Sequence, residues 1–238
     1  MTGSLLLRGM FVGILAGFLA FSFAKCFGEP QIDQAFAFEE HLDQGPAPEL
    51  VGRELQSGIG LISGVVVYSA GMGALFALAF ANCVGRVGRL GPRGLAALLA
   101  LAAFVAVIVV PALKYPANPP SIGDPDTIRE RTHLFLLMVM LSVVAMVIAV
   151  NFARNLLPRH GAWTAALIGI ALYLLVVNLG GSVFPPVNEV PDGFPAENLW
   201  QFRLATLGIQ LVMWSALGLI FGYLTERDFK RQRLLAGR

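Results

Sequence analysis

An all-α integral membrane protein with six transmembrane helices is the fold class the sequence predicts, and three observations predict it. Hydrophobic residues make up 56 % of the chain and charged residues 13 %, against about 25 % charged in soluble domains. Apolar runs of about 20 residues, the length needed to cross a bilayer, recur from one end of the chain to the other. The turns between these runs alternate in charge, one set rich in arginine and the other rich in carboxylates, as the positive-inside rule requires. Residues 1–238 are read as a single polytopic domain whose helices pair as three helical hairpins with proline-rich exterior loops.

The first span lies near 5–24. Arg8 sits one turn inside it, where a long side chain snorkels to the interface. Gly9, Gly13 and Gly17 recur every fourth residue, which lets another backbone approach closely. A cleaved signal peptide is the rival reading, but Lys25 before Cys26 spoils a small-residue cleavage site, and the span is read as retained. Beyond it, Ile32, Ala35, Phe36 and Phe38 predict a short amphipathic helix over 31–41 lying at the outer surface, broken by Gly45-Pro46-Ala47-Pro48.

The second span, near 58–84, carries Gly58, Gly60, Gly64, Gly71 and Gly73, again a signature of close packing. The third, near 94–113, opens into a loop with Tyr115-Pro116 and Asn118-Pro119-Pro120. Proline fixes φ and pushes its predecessor out of the α region, so this loop is expected to be extended and stiff. Asp126 or Thr127 then caps the helix of the fourth span, near 134–153. The fifth span, near 162–184, exits through Phe184-Pro185-Pro186, and the sixth, near 204–224, follows Trp200, an aromatic-belt residue. The basic tail after it hugs anionic headgroups. Cys26 and Cys83 end adjacent spans at opposite faces, so no disulfide is expected.

Orientation follows from the bases. Arg8, Arg86, Arg89, Arg93, Arg154, Arg159 and the bases of the tail fall on one side with only Glu226 and Asp228 against them, which makes both termini cytoplasmic. The exterior loops hold the other acids. Each begins near an aromatic and a proline and closes with an arginine, Arg53, Arg131 or Arg203, a weak repeat of the kind transporters use.

No metalloprotease HExxH, nucleophile elbow, phosphate loop or CxxC is present, so neither enzymatic activity nor a tightly bound cofactor is expected. The span centres carry no ionisable residue, which argues against a self-contained secondary transporter. Ser69, Ser142, Asn178 and Gln210 at depth suit helix-to-helix hydrogen bonds. Outside the spans, Glu29, Glu39, Glu40 and His41 form one acidic stretch, and Glu130 and His133 stand three apart on one helix face. Oxygen and imidazole ligands suit divalent metals such as cobalt, nickel or zinc. Capping and solvated charge are the plainer uses of the same residues.

Several stretches carry a resemblance. Arg8-Gly9-Met10, Phe27-Gly28-Glu29-Pro30, Phe38-Glu39-Glu40, Lys114-Tyr115-Pro116 with Asn118-Pro119-Pro120, Gly123-Asp124, Thr127, Arg131-Thr132 and Trp200-x-Phe202-Arg203 together resemble the CbtA-type cobalt transporter subunits over nearly the whole chain. The resemblance implies a bacterial inner-membrane protein serving cobalt uptake for cobalamin synthesis. It also implies a small single-span partner of the CbtB type with a histidine-rich end, and five spans where the apolar runs number six. The combined expectation is a lipid-embedded subunit, homo- or hetero-oligomeric and with no nucleic-acid partner. It draws cations to acidic outer loops and passes them between glycine-packed hairpins. A non-transporting assembly or scaffold subunit of a larger membrane complex is the alternative.

Overall fold

The computed structural model describes residues 2–42, 52–88, 90–120 and 122–236, and these contain helices and loops but no strand. Helix α1 (Thr2–Phe23) runs through a π-helical turn, Ala24–Gly28, into α2 (Glu29–Leu42). A single turn, α3 (Arg53–Leu55), and a second π turn, Gln56–Gly60, lead into α4 (Leu61–Cys83). Next, α5 (Pro92–Ala103) continues through a π segment, Phe104–Val109, into α6 (Val110–Lys114). A 3-10 turn, Pro125–Thr127, opens α7 (Ile128–Val183), and α8 (Ala196–Ala236) follows. Among the described residues, 5 helices are long and apolar enough to cross a membrane: Thr2–Glu40, Arg53–Cys83, Pro92–Lys114, Ile128–Val183 and Ala196–Gln232.

The π turns explain how prolines are carried inside two of these rods. Pro30 and Pro111 each follow the end of a π turn by two residues. A proline removes one donor and clashes with the carbonyl four residues back. In both rods that carbonyl, of Cys26 or of Val107, lies within the widened turn, where the backbone bonds i to i+5. Glu29 N–H accordingly donates to Ala24 O. The outer segment 31–41 is therefore a continuation of the first rod, where the sequence predicted a separate surface helix. Gly28-Glu29-Pro30 reads as a stop, but here it is absorbed.

Helix α7 has 56 residues, about 84 Å of helix at 1.5 Å per residue, far more than the roughly 30 Å of a hydrocarbon core. It is not one straight rod. Gly161, with φ 76° and ψ 167°, interrupts the helical backbone three residues after Pro158, because a positive φ has no place in a right-handed helix. The break separates the two apolar runs expected near 134–153 and 162–184.

The chain divides into two compact units. In the first, α1 and α4 pack along their length through the predicted glycine face. A methyl group on Gly9 would collide with Gly73 O, one on Gly13 with Ser69 O, and one on Gly17 would lie 2.9 Å from Val66 Cα. The two backbones thus touch. Helix α8 packs on α1 and on α5, the latter contact again built from small residues, with Gly218 against Ala100 and Gly222 against Ala96. Phe76 and Phe80 of α4 meet Phe221 of α8 edge to face at 5.3 and 5.1 Å.

In the second unit the arms of α7 on either side of Gly161 fold against each other. Ser142 and Tyr173 share a buried hydrogen bond of 2.8 Å, Gly169 lies against Ala153, and Gly180 and Gly181 lie against Leu141 and Met138. These pairings run in opposite senses along the chain, so the arms are antiparallel. Val110 of α6 and Tyr115 complete the core with Met138, Ala145, Ala149 and Val177.

Candidate functional site

The acidic stretch predicted to collect cations sits mainly on α2. Glu29 and Asp33 are four residues apart and share a face, and a single guanidinium serves both. Arg53 Nη2 lies 2.7 Å from Glu29 Oε2 and 2.8 Å from Asp33 Oδ1, and Arg53 also stacks over the Phe36 ring. Glu29 is 6 % exposed, so this pairing is what allows a carboxylate to be buried there. Glu39 is half-buried and Glu40 exposed. His41 lies on α2, and its side chain lies outside the described residues, as does Asp43. Glu130 and His133 are both exposed on the first turns of α7. No group of three or more His, Cys, Asp or Glu side chains able to hold a metal forms among the described residues. Both cysteines are free thiols.

A second polar centre gathers the motif residues Gly123, Asp124, Thr127 and Arg131 around a carboxylate that the sequence did not single out. Its hub is Glu189, in the proline-broken exit from α7. Thr127 Oγ1 donates to Glu189 Oε1 at 2.7 Å, the Asp124 N–H donates to Oε2 at 3.3 Å, and Arg131 Nε forms an ion pair with Oε2 at 2.9 Å. Arg131 also donates to Asp124 O at 3.2 Å. Gly123 adopts φ +121°, and a methyl group there would lie 2.8 Å from Arg131 Nη1 and 3.2 Å from Glu189 Oε2. The run Gly123-Asp124-x-x-Thr127-x-x-x-Arg131 is thus a cradle for one carboxylate. Asp124 rather than Asp126 supplies the capping side chain, accepting the Asp126 N–H at 2.9 Å, and Thr127 is the N-cap residue of α7 without a side-chain cap bond. Nearby, burial pushes the Tyr115 phenol above its ordinary range, and the neutral hydroxyl donates to Pro185 O at 2.9 Å.

The opposite end of the first unit has its own charges. Arg8, expected to snorkel into the headgroups, instead bonds Asp228 Oδ2 at 2.6 Å and Thr225 Oγ1 at 3.1 Å. Arg93 pairs with Glu226 at 2.8 Å and lies over the Tyr223 ring. Within the apolar parts of the helices no charged side chain appears among the described residues of either unit. Asn178 is spent on its own helix, donating to Leu174 O at 2.7 Å, and the Gln210 Oε1 and Ser69 Oγ are buried with no hydrogen-bond partner among the described residues. The α1–α4 seam, built on the predicted glycine face, is closed by backbone contact.

The long apolar helices of the described residues suit a multi-pass membrane protein. No curated protein and no solved structure matches the chain. The sequence model of one family, described as CbtA, probable cobalt transporter subunit, matches residues 2–226. That match takes in both the Glu29–Arg53 pair and the Glu189 cradle. The chain therefore belongs to the CbtA family of probable cobalt transporter subunits, membrane proteins that are not enzymes.

Proposed function

We propose that the protein is the membrane-embedded subunit of a cobalt uptake system in a bacterial inner membrane, supplying cobalamin synthesis. The family match over 2–226 carries this reading. In it, α7 crosses the bilayer twice, once on each side of Gly161, giving six spans paired as hairpins and both termini in the cytoplasm. Glu39, Glu40 and His41 form the collecting surface on α2, with Glu130 and His133 as a further pair on α7. Glu29 joins the collecting set only when Arg53 releases it, because the guanidinium already occupies the position a cation would take. The single-span CbtB-type partner with a histidine-rich end brings the ligands that the spans lack.

The test is radiolabelled cobalt accumulation in a strain without other uptake routes, with and without the gene and its partner. Accumulation that depends on the gene, and that falls in Glu39→Ala and His41→Ala, is the expected result. Equal accumulation with and without the gene removes the transport reading. The absence of charge at the span centres favours the second reading, an assembly or scaffold subunit. In that case cobalt binding and passage reside in the partner, and the same experiment shows uptake by the partner alone.

A further inference from the structure

Helix α8 is longer than a bilayer requires. Its 41 residues extend about 62 Å, and its apolar run is over by Tyr223-Leu224, leaving Thr225 to Ala236 beyond the hydrocarbon. The extension is rigidly placed, since Asp228 is held by Arg8 of α1 and Glu226 by Arg93 of α5. Those two pairs have a second effect. They occupy both of the acids in the extension, Glu226 being shared with Lys230 one turn on. Arg227 and Arg231 are exposed and face no described carboxylate.

Their position along the helix identifies what they meet. Tyr223, Arg227 and Arg231 are spaced by four residues and lie on one face, and Leu234 follows at 74 % exposure on the same side. Tyr223 is 49 % exposed, an aromatic at the level where hydrocarbon gives way to headgroups. Arg227 stands about 6 Å further along the axis, within a headgroup layer of roughly 5–8 Å, and Arg231 about 12 Å along, where its long side chain, tilted back toward the helix N-terminus, reaches the outer edge of that layer. Arg93, 54 % exposed and stacked over Tyr223, adds a third guanidinium at the same depth. Planar guanidinium groups match phosphate oxygens with paired donors. A soluble acidic protein would have to reach into the headgroup layer to meet Arg227.

We propose that the α8 exit, formed by Arg227 and Arg231 beside Arg93 and Tyr223, is a binding site for the phosphate of an anionic phospholipid. The experiment uses the full-length protein purified in a neutral detergent and reads its thermal unfolding midpoint with added phosphatidylcholine, phosphatidylglycerol, or soluble glycerol phosphate. Phosphatidylglycerol is expected to raise the midpoint by several degrees more than phosphatidylcholine, with soluble glycerol phosphate giving no rise. Arg227→Ala/Arg231→Ala loses at least half of that difference, and Arg227→Lys/Arg231→Lys retains more of it than the alanine pair. Equal shifts from the two lipids, a full shift from glycerol phosphate, or an undiminished lipid difference in the alanine pair would each overturn the proposal. So would equal loss in the lysine and alanine pairs.

Discussion

Arg131 holds Glu189 at 2.9 Å, joining the first turn of α7 to the loop that leaves it. The ion pair closes the hairpin formed by the two arms of α7 at its open end, opposite the Gly161 break. It is surrounded by short-range support: the Thr127 hydroxyl, the Asp124 N–H and the bare Cα of Gly123 all converge on the same carboxylate.

Glu189→Gln keeps the shape but removes the charge, leaving a partly buried arginine without its counter-ion. Arg131 Nε meets the carboxylate as an ion pair without hydrogen-bond alignment, while the Thr127 hydroxyl donates to a charged group, an interaction of about 1.5–3 kcal/mol. Partial exposure of the ion pair puts the expected loss near the lower end. Unfolding of the purified protein in detergent checks it. Gly123→Ala should be as damaging, since it combines a collision with Arg131 and a positive φ. A wild-type midpoint in both variants would show that the cradle is ornamental.

The α1–α4 seam makes a sharper prediction. Gly73→Val places side-chain atoms where Gly9 O now lies, and overpacking of this kind costs about 1–3 kcal/mol or more. A Cβ added at Gly64 on the same helix meets nothing within 4 Å, so Gly64→Val serves as the control. Yield of monodisperse protein after detergent extraction should fall for Gly73→Val and hold for Gly64→Val.

Gly161 is tested by its backbone alone. A side chain at φ 76° is disfavoured by about 1–2 kcal/mol, although the space around it is open. Gly161→Ala should therefore lower stability, whereas Gly71→Ala, in open space within regular α4, should raise it by up to about 1 kcal/mol. Opposite signs in one unfolding assay are the expected signature.

Arg8 and Asp228 should be coupled. Arg8→Ala loses about 1 kcal/mol, the charge-assisted value discounted for the exposure of Asp228, and adding Asp228→Ala should cost little more. Strict additivity in that double-mutant cycle would mean the two side chains act independently.

Parts of this architecture were legible in the residues and others were not, for physical reasons. The Gly9–Gly13–Gly17 spacing announced backbone contact, since only a residue without Cβ permits it, and the seam is there. The positions of the loop-closing arginines were legible too, but not their partners. Glu29 is close to Arg53 only after the chain turns back, and Glu189 meets Arg131 only when the arms of α7 fold together. Arg8 looked like a snorkelling side chain because Asp228 is remote in sequence. The π turns escaped notice because hydropathy and proline rules both assume i to i+4 bonding. For that reason Glu29-Pro30 read as a helix end, whereas the rod continues to Leu42.

The contact of Gly9 with Gly73 has a corollary for water. A junction with no room for a methyl group has no room for a thread of water at that level. Any polar path along this protein therefore lies elsewhere than between α1 and α4 at the level of Gly9, Gly13 and Gly17.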